Sequence, residues 1–312
     1  MSVEDFKREM KEKEDAAFAL LRKQTDIIMR DEKAFKTFLN MQADHIATSI
    51  GNTLLVQAQM PDAVAVNSIQ EWDKRNVPVR RDKNNYYPSG IYQFTPDGQY
   101  VDPKTKEVRT KFKIYKGYDA SQTVNPDYAQ AIMNHERPIS VFVGTKEPNK
   151  VRNLALCDSS PIKCLLYDEK KLINDAEYIS EREGLKYVPE TRTIIIRKVA
   201  RGDWFQRVAY EIALGLYHKV DGSEFDRSIR SFEAGVVAYM LCRMSGVDTS
   251  TFRFDLSKLP AKYPNQAEFR AMLNECYENA HNLSHRLNQK IAERNGKYQT
   301  HGEAVRFEKE VI

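Results

Sequence analysis

The sequence predicts an α+β protein of two domains: N-terminal helices with a small antiparallel sheet, then a helical domain with a small sheet of its own. Three observations lead there. The chain has 312 residues, more than one hydrophobic core of ordinary size organises comfortably. Apolar spacing is helical up to about residue 60 and alternates with period two between residues 77 and 118; in the second half, strand-like runs precede two strongly apolar helices. Between the halves, residues 138–149 are broken up by proline, glycine and lysine, as a connecting segment would be.

Residues 3 to about 25 form a charged, exposed helix with a thin apolar stripe of Phe6, Met10, Ala17, Leu20 and Leu21. Asp31 is a good N-cap for a second helix. Its apolar positions Phe35, Phe38, Leu39, Met41, Ile46 and Ile50 continue to Gln59, with a kink expected at Gly51-Asn52. Met60-Pro61-Asp62 ends it, since proline disfavours helix in the residue before it and has no N–H to donate. A short strand at 63–66 and a brief helix capped by Ser68 and carrying Trp72 follow. Alternating segments come next at 77–81, 91–95 and 111–118, with Pro96-Asp97-Gly98 as a turn, and then a helix over 125–136.

The second half opens with a strand at 164–167 and a charged helix at 175–183. Two strands, 186–188 and 193–197, flank a turn of Pro189-Glu190-Thr191-Arg192. An apolar helix starts at the N-cap Asp203 and runs to Val220; another spans 231–244 and stops at Gly246. Residues 252–259 are irregular, a last helix covers 265 to about 294, and the polar residues beyond read as a frayed tail.

Apolar content of 41% and charged content of 29% are those of an ordinary folded protein. The longest apolar runs, such as Ile194-Ile195-Ile196, are far too short to cross a bilayer, and the first residues are too charged for a secretory signal. Cys157, Cys164, Cys242 and Cys276 form no C-x-x-C pair, which suggests neither a zinc knuckle nor a disulfide framework. A reduced, cytoplasmic protein without cofactor or membrane partner is the expectation.

Net charge is +4, but residues 74–116 hold eleven Lys/Arg against four Asp/Glu, a local +7 that leaves −3 for the rest. Such asymmetry points to an acidic, polymeric partner. Lys74, Arg75, Arg80, Arg81 and Lys83 precede the rings of Tyr86, Tyr87, Tyr92 and Phe94. Lys104, Lys106, Arg109, Lys111, Lys113 and Lys116 interleave with Phe112, Tyr115 and Tyr118. Single strands are held by cations that track phosphates and by rings on which bases stack. Strand alternation puts Lys111, Lys113 and Tyr115 on one face and Phe112 and Ile114 on the other. The candidate nucleic-acid-binding set is Lys74, Arg75, Arg80, Arg81, Lys83, Lys111, Lys113, Tyr115 and Lys116; the alternative is a solvated hairpin whose rings are core.

The helix from Asp203 carries a second pattern, Tyr210-Glu211-Ile212-Ala213-Leu214. In H-E-x-x-H, histidines one turn apart hold zinc and the glutamate polarises water. Here tyrosine and leucine replace both imidazoles, so no catalytic site is expected. Glu211 lies at the margin of the apolar arc, beside Trp204, Val208 and Gly215, and Arg207 one turn earlier is its local candidate partner. Glu233, on the next helix, reads by itself as a solvated helix position. His281 and His285 have chelating i, i+4 spacing but no assignable third ligand, which leaves them a weak metal pair.

Several stretches together resemble a known family. Asn52-Thr53-Leu54-Leu55, Gln59-Met60-Pro61-Asp62-Ala63, Trp72, residues 77–81 and Tyr118-Asp119-Ala120-Ser121-Gln122-Thr123 look like the N-terminal domain of the ArdC/LtrC-like antirestriction proteins of plasmids, phages and conjugative elements. That resemblance implies a single-stranded DNA-binding domain over 29–140, after a helix at 1–28. The second half resembles the zincin-like metallopeptidase domain of the same family, over 150–295, with a tail at 296–312. Tyr210 and Leu214 then match the two histidines, Glu211 the general base, and Glu233 the acidic third ligand on the next helix. The resemblance thus implies an inactive peptidase-like domain joined to a DNA-binding one, with a host or element protein as a further possible partner. An active peptidase using Glu211, Glu233 and a recruited ligand, or a pseudoprotease interaction module, are the alternatives.

Overall fold

The computed structural model describes residues 2–45, 49–136, 142, 147–167, 184–197, 204–218 and 225–300. The architecture is mixed α+β, with two three-stranded sheets and multiple helices. The chain divides into two compact units, Met1–Arg137 with Asp255–Asn274, and Pro138–Phe254 with Glu275–Ile312. Residues 255–274, which the sequence reading places in the domain at 150–295, therefore belong with the first unit. Contacts made at long sequence separation return them there: Gln266 Nε2 donates to Arg22 O (3.1 Å) and Arg270 Nη1 to Thr25 Oγ1 (3.3 Å).

In the first unit, α1 (Val3–Ile28) opens with a capping box of Ser2 and Asp5. Asp31 caps α2 (Glu32–Ala43), its Oδ1 accepting the N–H groups of Lys33 (2.8 Å) and Ala34 (3.0 Å). The expected break at Gly51-Asn52 falls earlier. His45 takes a positive φ of 55° just past the end of α2, and Ser49 caps a separate α3 (Ile50–Gln59), so Gly51 and Asn52 lie in its first turn. β1 is only Val66–Asn67, because the Asp119 carboxylate takes the N–H groups of Val64 (2.8 Å) and Ala65 (3.0 Å). α4 (Ile69–Lys74) is capped by Ser68.

β2 (Ile91–Val101) and β3 (Val108–Asp119) form a long antiparallel hairpin, and the sheet order is β1-β3-β2. Pro96-Asp97-Gly98 is a bulge inside β2, not the turn. Pro96 pairs with Phe112 and Gln99 with Thr110, so β2 carries one extra residue. Gly98 absorbs it at φ 96°, a conformation that side chains resist. The reversal comes at residues 102–107, where Asp102 accepts the Lys104 N–H (2.8 Å). Residues 77–81 form no strand and make one bridge, Val79 to Thr123. A single 3₁₀ turn (Ala120–Gln122) and α5 (Pro126–Glu136) follow.

Phe35, Phe38 and Leu39 of α2 and Leu54, Leu55 and Val56 of α3 are fully buried. A second cluster gathers Ala65, Val77, Val79, Tyr118, Ala120 and Ala129 around Trp72. The Trp72 indole N–H donates to Tyr118 O (2.8 Å), so this ring is a core element with its one polar atom satisfied. The outer edge of β2 is closed by side chains. Asn52 gives and takes hydrogen bonds with the Phe94 C=O and N–H (2.9 and 2.8 Å), and Gln59 does the same at Tyr92 (both 2.9 Å). Two amides thereby stand in for a neighbouring strand.

The second unit begins with α6 (Pro148–Ser159), which the sequence reading does not anticipate. Arg152 and Asn153 are buried beside Val151, Ala155 and Leu156, and these polar members hide the helical period. β4 (Lys163–Tyr167), β5 (Leu185–Val188) and β6 (Thr193–Arg197) follow. The order is β4-β6-β5, with β4 and β6 parallel and β5 and β6 antiparallel. α7 (Phe205–Tyr217) packs on α8 (Ser231–Met244), beyond whose cap Ser245 the chain turns at Gly246 with φ 66°. The N-cap position of α7 is Trp204; the expected cap Asp203, the end Val220 and the charged helix at 175–183 lie outside the described residues. Gly215 lets α7 approach the sheet, since a Cβ there would stand 2.9 Å from Ile162 Cγ1 and 3.1 Å from Tyr187 Cε2. A short α9 (Leu259–Lys262) follows in the first unit, and α10 (Gln266–Thr300) extends past the expected end near 294. No helix among the described residues is long and apolar enough to cross a membrane.

Candidate functional site

In the first unit the cationic residues divide by what holds them. Lys74 (2.6 Å) and Arg75 (3.1 Å) both pair with Glu71 one turn away, which places them on the α4 surface as a local ion-pair cluster. Arg80 and Lys83 are exposed and enter no ion pair with a described residue. Arg81 lies over the Tyr87 ring (4.2 Å to its centroid), donating to the Tyr87 hydroxyl and to Asn85 Oδ1 (3.1 Å). Between them the loop is tied by its own side chains. Asp82 Oδ1 accepts the N–H groups of Asn84 (2.9 Å) and Tyr86 (2.8 Å), and Asn85 turns the chain at φ 67°. Tyr86 is left projecting, 70% exposed.

On the hairpin, the register puts Arg109, Lys111, Lys113 and Tyr115 on one face, as alternation requires. Asp97, presented by the bulge, lies 2.8 Å from Lys113 and 4.0 Å from Lys111, and Lys113 foremost holds its carboxyl below the usual range. Arg109 pairs with Asp102 (3.0 Å). These exposed pairs are worth little and are exchangeable for phosphate contacts. Tyr115 is half-buried and its hydroxyl donates to Gln93 Oε1 (2.8 Å), so it is part of the sheet's packing rather than an open platform. Lys116 lies over Tyr92 on the opposite face (5.5 Å). Phe112, on the face opposite Lys111 and Lys113 as alternation requires, is 44% exposed and edge-on to Phe94, which stacks on Phe18 (4.5 Å). The hairpin's outer half projects beyond the helices that cover its base, exposing Tyr100, Val101 and Val108 as well.

In the second unit, Glu211 is buried on α7 and its carboxylate is fully engaged. Arg227 donates from Nη1 to Oε2 (2.8 Å) and from Nη2 to Oε1 (2.5 Å), a two-pronged grip. The Tyr187 N–H, on the edge strand β5, donates to Oε2 (2.7 Å). Arg207 is exposed and makes no such contact, so the partner expected one turn away is replaced by one 16 residues on. Burial pushes the Glu211 carboxyl above its ordinary value, outweighing the opposing pull of Arg227 and of the Tyr187 N–H. Tyr210 is half-buried with Arg227 near its ring (6.0 Å), and Leu214 is wholly buried. The Tyr187 hydroxyl sits 2.7 Å from His218 Nδ1, and Phe225 packs against both rings (5.4 and 4.9 Å).

Glu233 is wholly buried in the first turn of α8, with Arg230 Nη1 3.2 Å from its Oε1, which excludes the solvated position. His281 and His285 are both exposed on α10. Among the described residues no three His, Cys, Asp or Glu side chains gather where they could hold a metal ion. Tyr86, Tyr187, His218 and Arg227 escape the sequence-based site assignment. An aromatic after a D-x-N-N turn is a usable local signal for Tyr86; Arg227 has none, because nothing near it in sequence refers to Glu211.

No family model, no curated protein and no solved structure matches this chain.

Proposed function

We propose that the first unit binds single-stranded DNA and that the second is a metallopeptidase-like domain without catalysis, together forming an antirestriction-like protein of a mobile element. The observation that carries the reading is the exposure of Arg80, Arg81, Lys83 and Tyr86 on the loop and of Lys111 and Lys113 on one face of the hairpin, with Lys116 and Phe112 exposed on its other face. Cations track the backbone and open rings accept bases of any identity. Lys74 and Arg75 add to the field more than to the contact, and Tyr115 positions the strand. For the second unit, the support is chemical. Glu211 has no histidine at positions 210 or 214, and the Arg227 guanidinium engages both of the oxygens that would otherwise be free to polarise water. Such a domain suits protein recognition, which is where a host or element partner enters.

The test is titration of labelled single strands of mixed sequence. Six phosphate contacts imply a log–log salt slope of about −4, so affinity falls about 300-fold between ~50 and ~200 mM salt. Neutralising Arg80, Arg81, Lys111 and Lys113 together flattens the slope and weakens binding for every sequence. Affinity that ignores salt, or that is absent for single strands, overturns the DNA reading. Stoichiometric zinc in the purified protein, lost on Glu233→Ala, overturns the inactive-domain reading in favour of a peptidase.

A further inference from the structure

We propose that the free edge of β3, from Val108 to Lys113, takes up an extended acidic segment of a partner protein as an added antiparallel strand. The direction of each backbone group follows from its neighbours. Asn52 holds the N–H and C=O of Phe94, and Gln59 those of Tyr92, so both residues point away from β3. Opposed residues of an antiparallel pair exchange both bonds or neither. Ile114 and Lys116, opposite Phe94 and Tyr92, therefore point away from β2. The same parity runs down the strand to Phe112, Thr110 and Val108. It also runs up to Ala120, whose N–H on that side goes to Ala65 O (2.9 Å). β1 pairs only with Tyr118 and Asp119; beyond it no described residue bonds this edge, and residues 108–113 are all exposed. The β2 edge differs: two amides occupy it, Pro96 has no N–H to offer, and the bulge at Gly98 breaks its line. An open edge of this kind is a template for an incoming strand.

Side chains beside the edge define the guest. Arg109, Lys111 and Lys113 share one face, where Asp97 already sets a carboxylate 2.8 Å from Lys113 and 4.0 Å from Lys111. Val108 and Phe112 are exposed on the other face. Directly opposed residues lie on the same face, so the complementary strand alternates carboxylate and apolar side chains. A second copy of β3 fits worse, because its lysines would meet Lys111 and Lys113, like charge against like. In antiparallel addition the guest's apolar residues stand opposite Val108, Thr110 and Phe112, and their N–H groups make the bonds; the N–H groups of its acidic residues face outward. Main-chain pairing needs alternating donors and acceptors, which nucleic acid lacks, so peptide uptake does not depend on single-strand binding.

The experiment adds a blocked, fluorescein-labelled peptide of alternating glutamate and valine, about eight residues long, to the full-length protein. Anisotropy reads affinity, and residue-resolved amide exchange by NMR reads the edge. Saturating peptide is expected to slow exchange at Thr110 and Phe112 by about tenfold or more, leaving Lys111 and Lys113, already bonded to β2, unchanged. Methylating the valine nitrogens abolishes binding, whereas methylating the glutamate nitrogens preserves it. Thr110→Pro removes one outward N–H without touching the β2 pairing and weakens binding about tenfold. If that variant fails to fold, the two methylated peptides carry the test on the native chain. No protection at Thr110 and Phe112, or equal affinity for the valine-methylated peptide, overturns the proposal. Equal affinity for a lysine–valine peptide overturns the acidic assignment. Protection that grows with protein concentration alone makes a second copy the occupant and overturns it as well.

Discussion

Replacing Arg227 by methionine is expected to destabilise the second unit far more than replacing its partner Glu211 by glutamine. Glu211 is 6% exposed, and its carboxylate takes bonds of 2.5–2.8 Å from Arg227 and one of 2.7 Å from the Tyr187 N–H. Removing the guanidinium leaves a buried charge with one donor, a change that costs about 3–5 kcal/mol in sealed sites. The Arg227 side chain is 39% exposed, so water screens part of the attraction and the expected loss is about 2 kcal/mol. Glu211→Gln keeps the volume and an oxygen for the Tyr187 N–H, and lets Arg227 turn to solvent, for a loss of about 1 kcal/mol or less. The double variant should lie near the glutamine variant, a positive coupling that the cycle isolates. The sign of the pH dependence follows from burial. A folded carboxyl raised above its unfolded value binds its proton more readily than the unfolded chain does, so stability is highest below the unfolded value and declines as pH rises through the folded one. The Arg227→Met deficit is therefore larger at about pH 7.5 than at about pH 5, and Glu211→Gln abolishes the difference. Urea unfolding by circular dichroism, with hydrogen exchange across Phe205–Tyr217, reads this directly. A pH-independent deficit, or glutamine more damaging than methionine, would show that Arg227 is not the compensating charge.

Three further outcomes are expected. Tyr86→Ala should weaken single-strand binding by about 1–3 kcal/mol at unchanged stability, since the ring is exposed and the Asp82 turn holds without it; unchanged affinity removes Tyr86 from the interface. Trp72→Phe should cost about 2–3 kcal/mol of first-unit stability by leaving Tyr118 O without its donor, and should leave DNA affinity of the folded protein intact in the same titration. Asn52→Ala should cost about 1–3 kcal/mol and open the β2 edge, read as faster exchange of the Phe94 amide and concentration-dependent association in light scattering.

Much of the fold is legible in the sequence where the cause is local. Asp31, Ser68 and Asn125 each cap or open a helix as their side chains dictate, and two strands are read on either side of the Pro189-Glu190-Thr191-Arg192 turn. The errors share a cause as well. Gly51 and Pro96-Asp97-Gly98 are read as a break and a turn because those residues favour such places. Ser49 nonetheless caps a new helix ahead of Gly51, and pairing of β2 with β3 on both sides of Gly98 makes that segment a bulge. α6 escapes because two buried polar residues interrupt its stripe, and each needs the folded environment to be tolerated.

The sequence by itself determined the α+β class, the caps, the block of positive charge between residues 74 and 116, and the lack of histidine at positions 210 and 214 beside Glu211. Tertiary structure alone decided that Arg227 holds Glu211, that Asn52 and Gln59 close an edge strand, that Asp97 leans on the two hairpin lysines, and that residues 255–274 return to the first unit. The physical reason is that period and capping are written in neighbours along the chain. The partner of a buried charge or an open backbone group is instead whichever side chain the finished fold brings within about 3 Å.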